Sequence, residues 1–323
     1  MEKKRVPVAP LFVMPAKSYH NMTLEQVSNQ FLLEKKINDL HLFKLKINPQ
    51  DSYCSLACSY HGINLHFKTK SINFINSIKK LIPESWIIHS KDEPIIYLMT
   101  PEEFGHTQEL WCDESLPECI SLENNTIGIQ RDFAAKVGAS EVFLICESRV
   151  ADGFYNFLRW YLSEKLIDIN KFVVHSSCVL DKNNMAHLFL GHSDAGKTTI
   201  TELSYPRLVL GDDMNIISLE NNMLFVEAGA IGGKFNSMIG YDRKMPVKAC
   251  YWLHQDCLNE RIGLSSTIAN QKLVASFANL NWPTLSQKKT EKLLIFSSQA
   301  SSLMNFYQLN FLNSSTVWDF LDP

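Results

Sequence analysis

The chain has 323 residues, of which 46% are apolar and 20% charged, and its formal net charge is −3. That is the composition of a globular protein with one large domain or two, and the near-balanced charge marks neither nucleic acid nor an anionic membrane as a partner. No apolar run approaches the roughly 20 residues that a bilayer span needs.

The start, Met1-Glu2-Lys3-Lys4-Arg5, is basic, but Pro7, Pro10 and Pro15 interrupt the apolar residues behind it, so no secretion signal is expected. The eight cysteines then read as reduced thiols of a cytoplasmic protein. Cys54, Cys58, Cys250 and Cys257 lack zinc-ligand spacing, and Cys146 and Cys178 sit inside apolar runs as core residues, so no structural metal is expected. Residues 24–36 repeat with a helical period. Residues 42–47 alternate apolar and polar side chains and predict a half-buried strand, as do 63–67. Residues 72–81 read as an amphipathic helix closed by Pro83, and 94–99 and 142–146 as strands. Mixed elements without a repeat predict a small N-terminal α+β domain over residues 1–145, serving recognition, oligomerisation or support.

Residues 146–323 hold the motifs that carry chemistry. Residues 154–166 predict a helix whose aromatic and leucine side chains pack on the core. Phe172–Leu180 is a strand, Asp181-Lys182-Asn183-Asn184 a turn, and 187–190 a second strand. This domain therefore opens with an antiparallel hairpin, not with parallel strands separated by helices. The second strand runs into Gly191-His192-Ser193-Asp194-Ala195-Gly196-Lys197-Thr198-Thr199. That stretch fits the phosphate-binding loop pattern of Gly, any four residues, then Gly-Lys-Ser/Thr. A tight loop of this kind turns successive backbone N–H groups toward a polyphosphate. On this pattern Gly191, Ser193, Asp194, Ala195, Gly196, Lys197, Thr198 and Thr199 contact ATP. Lys197 reaches the β- and γ-phosphates, and the Thr198 hydroxyl ligates Mg²⁺.

A short helix from residue 197 ends before Tyr205-Pro206, and the apolar run 207–211 leads into Asp212-Asp213. Strand, loop, helix, strand and acidic pair are the order a P-loop nucleotide site needs. One carboxylate would hold Mg²⁺ while the other orients an acceptor hydroxyl and takes its proton. Neighbours on an extended segment point opposite ways, so the two cannot share one task. A plain Gly-Asp-Asp turn is the alternative reading.

Residues 174–218 resemble the HPr kinase/phosphorylase family and its HPr-kinase-like relatives, among them the serine kinases of peptide-modification gene clusters. The resemblance is carried by Val174-His175-Ser176-Ser177, Asp181, the loop from Gly191 to Thr199, and Asp212-Asp213. Residues 247–253, Arg261 and a helix over 268–277 extend it loosely through the second half of the chain. It implies an α/β fold with a mixed-sheet P-loop core, shared with ATP-dependent phosphoenolpyruvate carboxykinase, beside the N-terminal α+β domain. The activity it implies is ATP- and Mg²⁺-dependent phosphorylation of a hydroxyl, a serine of a protein or peptide, with a small-molecule hydroxyl as a variant. HPr kinases are hexamers, so the resemblance extends to a homo-oligomer.

The roles it implies are Asp212 as base, Asp213 with Thr198 and Glu227 as metal ligands, and His175 beside the acidic pair and the acceptor. Arg261 would neutralise charge at the phosphates. Each has a structural alternative: a hydrogen-bonded strand histidine, an edge-strand glutamate, a surface ion pair. Gly229, Gly232 and Gly233 with Lys234 mark a loop that closes over the acceptor or merely connects.

The family loop usually has Gly where Asp194 stands, although Asp tolerates left-handed backbone. The helix after the loop is shorter than usual, and no stretch matches the one that governs phosphate removal, so a one-way kinase is expected. Two other functions stay open. A non-catalytic nucleotide-binding sensor or scaffold would explain Asp194 and the short helix. A carboxykinase-like enzyme would need a metal-binding Lys/His set and a substrate arginine upstream of the loop.

Overall fold

The computed structural model describes residues 24–48, 50–89, 94–107, 111–112, 119–123, 126–149, 151–234, 237–238, 240–278 and 280–322. Pro7, Pro10 and Pro15, read above against a secretion signal, lie outside them. The N-terminal elements are α1 (Leu24–Lys46), β1 (Cys54–Tyr60), β2 (Ile63–Thr69), α2 (Ile72–Lys79), β3 (Ile87–Ile88), β4 (Ile95–Met99), β5 (Ile120–Leu122), β6 (Ile127–Gln130), β7 (Phe133–Val137) and β8 (Glu141–Cys146). The strands form one sheet in the order β3-β1-β2-β4-β8-β7-β6-β5. It is mixed: β4 runs parallel to β2 and β8, and its other pairs are antiparallel. β8, buried over most of its length, reads as a near-continuous apolar run for that reason. α2 starts at Ser71, whose hydroxyl accepts the Phe74 N–H at 3.2 Å, and it buries Phe74, Ile75 and Ile78.

Residues 42–47, expected as a strand, instead continue α1 to Lys46. The physical reason is register. Leu32, Lys36, Leu40 and Phe43 recur at helical spacing and are all buried, while Leu42 and Leu45 face solvent. No glycine or proline interrupts residues 24–48. Lys36 sits within this apolar stripe because its Nζ donates to the carbonyls of Gln130 (2.9 Å) and Arg131 (3.0 Å) and lies 3.4 Å from the Trp111 ring centre. Burial pulls its pKa down to about 7.

α3 (Ala151–Asp168) is the predicted core helix. Phe154, Phe157, Leu158, Trp160, Tyr161, Leu162, Leu166 and Ile167 are buried. Most of them join one cluster that contains Phe67, Phe133 and Leu144 of the first sheet and also Val173, Met214 and Ile216 of the second.

The chain continues through β9 (Phe172–Leu180), β10 (Ala186–Leu190), α4 (Lys197–Glu202), β11 (Val209–Gly211), β12 (Met214–Glu220), β13 (Met223–Ala228), β14 (Lys244–Gln255), β15 (Glu260–Gly263), α5 (Ser266–Ser276), α6 (Gln287–Leu303), β16 (Phe306–Phe311) and α7 (Thr316–Leu321). β9 and β10 form the expected antiparallel hairpin, Ala186 opposite Leu180 and Leu190 opposite Ser176. β9 changes partner along its length: residues 172–175 pair with β12, and 176–180 with β10. β14 does likewise, pairing first with β13 and then, in parallel, with β10 and β16. The ladders β9-β12-β13-β14-β10 thus return to β9 and close a circuit. Two mixed sheets with helices against them make this an α/β protein.

Among the described residues no helix is long and apolar enough to cross a membrane. All eight cysteines are free thiols, and Cys146 and Cys178 are fully buried core residues as the sequence suggests.

Candidate functional site

β10 is buried along its whole length between antiparallel β9 and parallel β14, so the loop after Leu190 leaves from a fixed point. The loop closes on itself where the Ala195 N–H donates to the His192 carbonyl at 3.2 Å. Asp194 holds left-handed backbone with φ 61°, the conformation its residue type tolerates, and Gly196 follows with φ 98°. At Gly196 any Cβ would stand 2.6 Å from Phe311 Cζ, so glycine is required there on two counts. Lys197 opens α4. Its buried Nζ folds back to donate to the carbonyls of Gly191 (3.0 Å) and His192 (2.7 Å). Burial lowers its pKa, against the opposing pull of Asp213 and Asp194.

β11 and β12 lie in succession along the same edge of β9, with Asp212 and Asp213 between them. A register shift between Val209 and Gly211 sets the phase of that segment; bulges of this kind re-aim side chains. Ser176 N–H donates to the Asp213 carbonyl at 2.9 Å, and Asn215 Nδ2 donates to the Ser176 carbonyl (2.8 Å) and hydroxyl (3.0 Å), which pins the bend to β9. Asp212 is buried, and its Oδ2 accepts the Lys234 N–H at 3.1 Å. Gly233, with φ 104°, permits this approach: a Cβ there would lie 2.5 Å from Asp212 Oδ1. Two side chains flank Asp213. Its Oδ1 lies 3.3 Å from His175 Nε2, and Oδ2 pairs with Arg159 Nη2. Arg159 is itself held from α3, donating Nε–H to the Ile231 carbonyl (3.1 Å) and Nη1–H to Asn156 Oδ1 (3.3 Å). Burial, followed by the nearby Lys197, lowers the His175 pKa more than Asp213 raises it, which leaves the imidazole neutral at pH 7.

These groups share one cavity of about 560 Å³. Ser193, Asp194, Gly196, Lys197, Thr198 and Thr199 of the loop line it together with His175, Asp212, Asp213, Gly233, Lys234 and Gln255. Gly191 and Ala195 shape the loop without lining the cavity.

Two residues singled out from the sequence stand elsewhere. Glu227, on β13, pairs with His61 Nδ1 (3.4 Å) and Lys171 Nζ (3.0 Å). Burial pushes its carboxyl up, but the two partners outweigh this and hold the pKa at about 2. Arg261, on β15, lies over the rings of Tyr307 (4.8 Å) and Phe320 (5.8 Å). Neither lines the cavity; nor do they match the alternatives weighed above, since β13 is paired on both sides at Glu227 and, among the described residues, Arg261 is held by ring contacts and not by an ion pair with a carboxylate. Among the described residues no group of three or more His, Cys, Asp or Glu side chains is arranged to hold a metal ion.

The sequence reading missed Arg159 and Gln255. A lone arginine within the aromatic run of α3 was the signal for Arg159; Gln255 left none. Lys234 was marked only as part of a glycine-rich segment.

No family model matches the sequence, and no curated protein is significantly similar to it. Among solved structures the chain is similar to the Hpr(Ser) kinase/phosphatase from Coxiella burnetii, at 12% identity over 43% of this chain and 85% of that one, with a TM-score of 0.24. A score that low establishes no shared architecture, and the geometry of the cavity stands on its own.

Proposed function

We propose that this protein is an ATP- and Mg²⁺-dependent phosphotransferase acting on a hydroxyl, in the first instance a serine of a protein or peptide. One observation carries the reading: the glycine-rich loop with Lys197 and Thr198 and the acidic pair Asp212-Asp213, separate in sequence, line a single cavity. Phosphoryl transfer asks for little more than positioning and charge neutralisation.

The donor set fits the cation. A threonine hydroxyl and a carboxylate are the hard oxygen ligands that Mg²⁺ prefers, and Thr198 and Asp213 would hold it, with Arg159 fixing the carboxylate through Oδ2. Bound MgATP would supply the γ-phosphoryl group: the acceptor oxygen would bond to phosphorus as the bond to the β,γ-bridging oxygen broke, and ADP would leave with that electron pair. Asp212, which lines the same cavity beside the cation ligands, would take the proton lost by the hydroxyl. His175, its pKa lowered by burial and by Lys197, stands beside Asp213 without adding a second full charge next to Lys197. Lys197, which here donates to the loop carbonyls, would turn to the β- and γ-phosphates when nucleotide binds.

The test is incubation with Mg²⁺ and γ-labelled ATP in a cell lysate, beside a Lys197→Ala control. Label on a discrete acceptor, absent from the control, is the expected result. Nucleotide binding without transfer to any acceptor would replace this reading with that of a nucleotide sensor.

A further inference from the structure

Charge neutralisation at the cavity needs more than Lys197, and the sequence offered Arg261 for the task. Arg261 stacks on Tyr307 and Phe320 and does not line the cavity. Among the described residues that do, the two lysines are Lys197 and Lys234, and there is no arginine. The Lys234 backbone N–H bonds Asp212 Oδ2 at 3.1 Å, so its Cα stands beside the acidic pair. Gly232 and Gly233, both with positive φ, precede it and set its direction.

Its ammonium is paired with Glu202, the last residue of α4, the helix that begins at Lys197. The side chains are 65% and 47% exposed. A solvated ion pair of this kind is weakly held and readily exchanged. A triphosphate, with several charges and acceptor oxygens, is the stronger partner.

We propose that Lys234 is the second phosphate-binding cation of this site, exchanging Glu202 for the γ-phosphoryl oxygens when nucleotide binds. The assignment rests on the phosphotransferase reading above. It gives the site a cation on each segment that borders the acidic pair: Lys197 from the loop, Lys234 from the glycine-rich segment. Because ADP lacks the γ-phosphoryl group, Lys234 distinguishes the two nucleotides, and Glu202 competes for it in the empty protein.

Calorimetric titration of the full chain with MgATP and with MgADP tests this. Lys234→Ala is expected to weaken MgATP binding about tenfold and to leave MgADP binding within about twofold. Lys234→Arg restores most of the MgATP affinity, which separates loss of charge from loss of fold. Glu202→Gln tightens MgATP by removing the competitor. Lys197→Ala weakens both nucleotides. If Lys234→Ala binds both nucleotides as the wild type does, or loses both equally, the Lys234 assignment falls while the phosphotransferase reading stands. A wild-type protein that binds neither nucleotide overturns both.

Discussion

Asp212 and Asp213 are adjacent and chemically identical, yet their surroundings differ, and the proposed reading assigns them different work. Both oxygens of Asp213 face side chains that stay with the protein, whereas Asp212 accepts a backbone N–H at Oδ2 and lines the same cavity. Asp212→Asn keeps the shape and removes the base. It is expected to slow phosphoryl transfer about 10²- to 10⁴-fold, with MgATP binding close to wild type; a single-turnover assay alongside a binding titration measures both, and unchanged turnover would remove Asp212 from the base role. His187 makes a separate point about single residues. It is fully buried, stacks on Tyr251 with ring centres 5.5 Å apart, and burial lowers its pKa to about 4. Below its ordinary value near 6.5 the unfolded chain binds a proton that the folded chain refuses. Stability therefore falls as pH drops from about 6.5 to about 4, by roughly 3 kcal/mol for this group. His187→Phe keeps the stacking and removes the titration. Urea midpoints at pH 7 and pH 4.5 should then lie closer together than in the wild type, and an equal gap in both proteins would count against the assignment.

The element read least well from the sequence is the end of α1. Residues 42–47 alternate locally, and a strand would put Phe43, Leu45 and Ile47 on one face. The helix separates them: Phe43 is fully buried against Phe104 and Phe143, and Leu45 is 73% exposed. Phe43→Ala should thus cost about 3–5 kcal/mol, and Leu45→Ala less than about 0.5, read from denaturant midpoints; similar costs at the two positions would favour the strand. Elements with their own punctuation were legible. The β9-β10 hairpin has its Asp-Lys-Asn-Asn turn, α2 has Ser71 and Pro83, and the loop at 191–199 has its glycines. β13 could be read only as an edge strand, since its pairing with β12 and β14 on both sides is non-local and no local pattern records it. The same limit applied at the site. The loop and the acidic pair that line the cavity are marked in the sequence by their own local pattern. Arg159 reaches Asp213 only because α3 packs on both sheets, a tertiary fact.

At the scale of the molecule, the two sheets are joined by a shared core and by polar ties. Glu227 binds His61 of the β1-β2 turn and Lys171 at the start of β9, and Trp86 Nε1 donates to Asp242 Oδ1 at 2.9 Å. The ion pairs of Glu227 stabilise the fold above about pH 4.5, and that contribution is lost as pH falls through about 2. Glu227→Gln is expected to lower stability by about 1–3 kcal/mol and to leave MgATP binding unchanged; a loss of Mg²⁺-dependent binding at full stability would restore the metal-ligand role that the family resemblance implied. The strand circuit has a consequence in time. β10 is complete early in the chain, but its parallel partner β14 arrives only after residues 191–243, and non-local parallel pairings form slowly because a long loop must close first. The cradle at 191–199 is thus expected to reach its final shape only when that seam shuts. A nucleotide has nothing to hold before then. On the proposed reading, bound nucleotide would lengthen the life of the finished molecule by slowing its opening and would not hurry the chain toward that state.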